Sequence, residues 1–141
     1  MRLFKKPPGF FKILAPLLLW SSHAVSMMAS DGPPPCETEE CFVKAVSACT
    51  KDASYMPASA AGSMVQYVID GGAEDGRCRL AMIYMMHPNN EWTYKPLYFV
   101  VDPDRDIDSQ VKEGVSACIN GTADSALRCE GPLLELTGAE T

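Results

Sequence analysis

Hydrophobic positions along the chain change period several times, and each change marks an expected element. The first run sets Arg2, Lys5, Lys6 and Lys12 ahead of the apolar stretch ILAPLLLW, and the small residues of SSHAVSMMA follow. A basic start, a short apolar run and a small-residue site together read as a secretory signal peptide. Cleavage after Ser26 fits an Ala24-x-Ser26 site, which assigns residues 1–26 to that peptide. The apolar run is shorter than the ~20 residues that span a bilayer, which argues against a retained anchor. Residues 27–35, MMASDGPPP, then read as a flexible Pro-rich start that stiffens before the first cysteine.

From Glu37 to Lys51 the period becomes helical, with Cys41, Phe42, Ala45, Val46 and Cys49 on one face. Thr38 is placed to cap this helix, and Glu39 and Glu40 fall where its dipole favours anions. After Pro57 and a small-residue stretch the period drops to two. Residues 63–70 alternate as a strand, the Gly-rich acidic segment 70–76 forms a hairpin loop, and 77–86 is the longest strand candidate. A third strand is expected over 94–101, apolar on both faces and therefore covered, with Pro96 near an edge.

The rest of the chain is less regular. DPDRDIDS reads as a charged loop, and 114–119 as a short fourth strand or the end of a helix, of which the strand is preferred. Thr122 is placed to cap a short helix over 123–129, which Gly131 and Pro132 would end. Residues 133–136 are apolar enough to dock, and 137–141 form a tail expected to fray. The pattern predicts one α+β domain over 36–136. In it an N-terminal helix packs on a three- to four-stranded antiparallel sheet, with a short C-terminal helix and three disulfides.

All six cysteines, Cys36, Cys41, Cys49, Cys78, Cys118 and Cys129, follow the signal segment, and an even count in an exported chain of this size reads as a cystine framework. Zinc and redox catalysis both favour C-x-x-C pairs, which the chain lacks. Sequence does not choose among the possible pairings. The expected elements favour Cys49 with Cys78, and local closure of Cys36 with Cys41 and of Cys118 with Cys129.

Charge narrows the choice of partner. The full chain carries a formal −6; loss of the four N-terminal cations brings it to about −10 over about 115 residues. Such a domain is repelled by nucleic acid and by anionic lipid, so no nucleic-acid partner, and no membrane association after signal removal, is expected.

Catalytic chemistry finds little to work with. His87 is the sole histidine beyond the signal segment, it precedes Pro88, and no G-x-S-x-G accompanies it, so nucleophilic catalysis is disfavoured. Paired carboxylates remain possible on number alone, which keeps a small carboxylate-dependent hydrolase as an alternative. Asp102, Asp104, Asp106, Asp108 and Glu113 fall at positions 1, 3, 5, 7 and 12 of a calcium-type loop. Ile107 stands where such a loop needs Gly, and the preceding segment is strand-like, so an EF-hand is excluded while an improvised Ca²⁺ site stays open. Met82, Met85, Met86 and His87 gather soft ligands, but strand alternation splits them between two faces unless a bulge intervenes.

The segment from His87 to Tyr94 has the composition of a recognition loop. Asn89, Asn90, Trp92 and Tyr94 are its candidate partner-binding residues, with Trp92 either an exposed anchor or a cover over the core. The sequence therefore points to a small acidic, secreted or periplasmic, non-catalytic protein-binding or inhibitory module with no cofactor. A weak calcium-binding protein using 102–113 is the alternative of a different class.

Overall fold

A computed structural model describes residues 32–58 and 61–139. The signal segment 1–26 and the first residues of the Pro-rich start lie outside the described residues.

Thr38 caps the first helix, α1 (Glu39–Ser47), its hydroxyl oxygen accepting the Cys41 N–H at 3.2 Å, with Glu39 and Glu40 in the first turn. Phe42 and Val46, one turn apart, are the residues α1 buries. The chain then forms a two-residue strand, β1 (Ser54–Tyr55), and the longer strands β2 (Met64–Gly72), β3 (Cys78–Met86) and β4 (Pro96–Val101). They make one sheet in the order β1-β2-β3-β4, every neighbour antiparallel. Tyr67 pairs with Met82 and Leu80 with Phe99. Strand alternation therefore puts Tyr67, Ile69, Leu80, Met82, Leu97 and Phe99 on one face, and these residues join the buried side chains of the helices in a single core.

Two expectations fail after β4. The segment 114–119 is not a strand: it is the second half of a helix, α2 (Ile107–Ile119), which begins inside the acidic segment. Its buried residues, Ile107, Val111, Gly114 and Cys118, follow a helical rather than a strand period. Gly114 packs α2 against the sheet at Phe99. A Cβ there would meet the Phe99 ring at 3.3 Å and Leu127 at 3.4 Å. The fourth strand is the short β1 instead.

Nor do residues 123–129 form the helix expected after Thr122. Asp124 Oδ1 accepts the N–H groups of Ala126 and Leu127, which sets a turn, and the chain runs on along the open edge of β4. Val100 N–H donates to Leu127 O at 3.0 Å, and Tyr98 and Glu130 exchange hydrogen bonds of 2.7 and 3.0 Å. The edge that Pro96 signalled is thereby satisfied by this segment. Arg79 pins it from the sheet, its guanidinium 4.3 Å from the Tyr98 ring centre and paired with Glu130 at 2.7 Å and Asp70 at 3.1 Å.

Gly131 and Pro132, expected to end a helix, instead begin one, α3 (Pro132–Thr137), with Pro in the first turn. Gly131 is required there, because its φ is +119° and a Cβ would lie 2.6 Å from Pro96 O. Leu133 and Leu134 dock in the core, and Ala139 packs against it, so the chain is held as far as that residue.

Three disulfides close the framework: Cys36 with Cys41, Cys49 with Cys78, and Cys118 with Cys129. They are the pairings the element order favoured. The second ties the end of α1 to the start of β3; the third ties the end of α2 to the segment on the β4 edge. Among the described residues, no helix is long and apolar enough to cross a membrane.

Candidate functional site

The loop between β3 and β4 is organised by its own side chains. Asn89 caps a 3₁₀ turn, Asn90–Trp92, by accepting the Glu91 N–H at 3.1 Å. His87 Nδ1 accepts the Asn89 N–H at 3.0 Å. The His87 ring stacks on Trp92 with centres 4.7 Å apart and planes 15° apart, and Tyr84 meets the histidine at 4.5 Å. Tyr84 and Trp92, themselves 6.0 Å apart, pack the ring into an aromatic cluster, and its Nδ1 is engaged by its own loop.

The stack divides the predicted binding residues. Trp92 is half-buried and packs against the core, so it covers the end of the sheet. Asn89 and Asn90 are exposed. Tyr94 is 67% exposed, the most open large hydrophobic side chain among the described residues, and Met86 at the end of β3 is 48% exposed. Tyr94 also holds a φ of +61°, an unusual backbone state for an aromatic residue. Its N–H donates to Tyr84 O at 2.8 Å, which fixes that geometry from the strand beneath.

The acidic residues are not gathered into one group: Asp102 and Glu113 border one concavity and Asp108 another. Asp102 Oδ1 accepts the Asp104 N–H at 3.0 Å, Asp106 Oδ2 accepts the Ser109 hydroxyl at 2.5 Å, and Asp108 pairs with Lys112 at 2.6 Å. Because α2 starts at Ile107, Asp108 and Glu113 sit on a helix five positions apart and border different concavities. Among the described residues, no group of three or more His, Cys, Asp or Glu side chains is placed to hold a metal ion. The soft-ligand set is also divided: Met82 is fully buried and Met86 exposed, although the β2–β3 register does shift beside them.

Known protein families, curated proteins and solved structures offer no match to the chain. Function must then be read from its own surface.

One feature of that surface was hidden from the sequence. Between α1 and α2, over β1 and β2, lies a mainly apolar cleft of about 120 Å³. Phe42, Tyr55 and Tyr67 form its aromatic wall, with Phe42 stacked on Tyr55 at 5.6 Å and tilted to Tyr67 at 6.2 Å. Val43 and Val111 also line it, and Glu39, Asp108 and Lys112 are its charged residues. Burial, then the nearby Tyr84 and the Asp108 carboxylate, push the Tyr67 hydroxyl up to about 12. The cleft needs α2 to exist, and the local sequence pattern there predicts loop and strand instead. The spacing of Ile107, Val111, Gly114 and Cys118 was the signal that would have found it.

Proposed function

We propose that the protein is an exported, non-catalytic binding or inhibitory module that meets a protein partner through the loop between β3 and β4. Tyr94 is the anchor, Asn89 and Asn90 supply adaptable hydrogen bonding, and Met86 adds a flexible apolar contact. The observation that carries this reading is Tyr94 itself: a large aromatic side chain 67% exposed and set on a left-handed backbone. Strain of that kind persists where the surrounding structure enforces it, and it clusters at binding sites. Trp92 acts as the base of the loop rather than as its tip. Export and an oxidising destination, secreted or periplasmic, are favoured by the basic-apolar N-terminus together with three cystines.

Affinity recovery from the native culture medium tests the proposal, with the oxidised mature domain and its Tyr94→Ala and Tyr94→Phe variants as baits. A partner held by the wild type and by Tyr94→Phe, but released by Tyr94→Ala with a Kd at least tenfold weaker, supports it. Identical partners and affinities across the three baits overturn it.

A further inference from the structure

We infer that the cleft between α1 and α2 binds a small neutral monocyclic aromatic compound bearing a hydrogen-bond acceptor, such as an aryl ketone or aldehyde. The site shares no residue with the β3–β4 loop and stands independently of the role proposed for it.

Size sets the first limit. A space of about 120 Å³ is close to the ~150 Å³ apolar cavities that take up benzene, and its mainly apolar lining offers few partners for the hydroxyls of a sugar ring. That disfavours glycosidic chemistry by Glu39 and Asp108, the two carboxylates in the lining. Wall chemistry sets the second. Phe42, Tyr55 and Tyr67 offer aromatic surface to a flat ligand, and Val43 and Val111 add aliphatic contacts. These residues are supplied by α1, β1, β2 and α2, so the cleft is defined by the packing of the fold and not by one mobile loop.

Polarity sets the third limit. Tyr67 and Tyr55 are the two phenols in the mainly apolar lining, and Tyr67, the one raised by burial, remains protonated throughout the physiological range. A ligand carbonyl reaching it would gain a hydrogen bond shielded from water, whereas a ligand lacking an acceptor would leave it unmatched. The lining then selects by charge. Lys112 is matched by Asp108 at 2.6 Å, which leaves Glu39 as excess negative charge in the cleft. An aromatic carboxylate meets repulsion there, and a neutral carbonyl compound does not.

Calorimetric or NMR titration of the oxidised mature domain with acetophenone, toluene and benzoate is the test. Acetophenone is expected to bind saturably with a Kd below about 1 mM, and benzoate at least about tenfold more weakly. Tyr67→Phe keeps the wall and removes the donor, so it should weaken acetophenone by about tenfold and leave toluene unchanged. Val43→Phe, at the half-buried side of the cleft, should abolish binding of both while near-ultraviolet circular dichroism stays native. The inference fails if acetophenone does not saturate by about 10 mM. It also fails if Tyr67→Phe weakens both ligands alike or neither, or if a natively folded Val43→Phe still binds.

Discussion

Gln110 grips Asp102 by both ends of its side-chain amide. Oε1 accepts the Asp102 N–H at 2.8 Å, and Nε2 donates to the Asp102 carbonyl at 2.9 Å and to the Asp106 carbonyl at 3.2 Å. One residue on α2 thereby fixes the backbone of the acidic segment against the end of β4, and the carboxylates are left to local turns and pairs. Each neutral hydrogen bond of this sort contributes about 0.5–1.5 kcal/mol, so loss of all three in Gln110→Ala should lower stability by about 1.5–4.5 kcal/mol in urea unfolding. Gln110→Glu retains the acceptor, loses both donations and adds charge beside Asp102 and Asp106, so it should destabilise at least as much at neutral pH. A Gln110→Ala midpoint equal to wild type would show that the segment is held by something else.

How the acidic segment was misread shows which parts of this fold are legible. α1 and strands β2 to β4 carry their own signal, because Thr38, the Phe42–Val46 spacing and the alternation of Leu80 with Arg79 are local patterns. α2 has an equally regular face at Ile107, Val111, Gly114 and Cys118. In sequence the first turn of this helix lies inside the charged run DPDRDIDS, which reads as a loop, and the contact of Gly114 with Phe99 exists only in space. Residues 127–130 could not be read locally at all, since their hydrogen bonds go to β4, about 30 residues earlier in the chain. The loop between β3 and β4 is legible in sequence as a loop, but the split between a half-buried Trp92 and an exposed Tyr94 is not. That split depends on the His87 stack and on a backbone state that no composition encodes.

The disulfides should contribute unequally. Restriction of the unfolded chain grows with the loop closed, and the sequence separations are 29 for Cys49–Cys78, 11 for Cys118–Cys129 and 5 for Cys36–Cys41. On that basis removing the long bridge should cost about 3.5 kcal/mol and removing the short one about 2 kcal/mol. Cys78 is fully buried, so the double variant Cys49→Ala with Cys78→Ala also leaves a packing defect at the start of β3. Thermal unfolding of the paired-alanine variants under oxidising conditions should rank them in this order, and a larger loss from the Cys36–Cys41 pair would contradict it.

Tyr94 should show opposed effects on stability and on binding. Its φ of +61° costs an L side chain about 1–2 kcal/mol, while glycine accepts that conformation and loses about 0.5–1 kcal/mol to unfolded-chain entropy. Tyr94→Gly should therefore leave the fold as stable as wild type or raise stability by up to about 1 kcal/mol, while removing the exposed ring. Urea midpoints measured beside partner affinity separate the two effects. A clear loss of stability in Tyr94→Gly would mean that the ring is part of the packing and not a surface anchor.

Asp75 gives the fold an acid-sensitive tie. Hydrogen bonding from the Arg77 side chain, reinforced by the charges of Arg77 and Arg128, holds its carboxyl down from 3.8 to about 2. Asp75 pairs with Arg77 at 2.7 Å and Arg128 at 3.2 Å, and Arg77 also donates to the Ala126 carbonyl, so the β2–β3 hairpin loop is joined to the segment along β4. A carboxyl depressed in the folded state is bound by the proton more readily in the unfolded chain. Its stabilising effect is full above the ordinary carboxylate range and is lost as pH falls through the folded value. Wild-type stability should therefore fall between about pH 4 and pH 2, and Asp75→Asn, which cannot ionise, should flatten that part of the profile. Because the carboxylate is exposed, added salt should shrink the difference between the two proteins at neutral pH. Parallel acid profiles for wild type and Asp75→Asn would place the origin of acid sensitivity elsewhere in the domain.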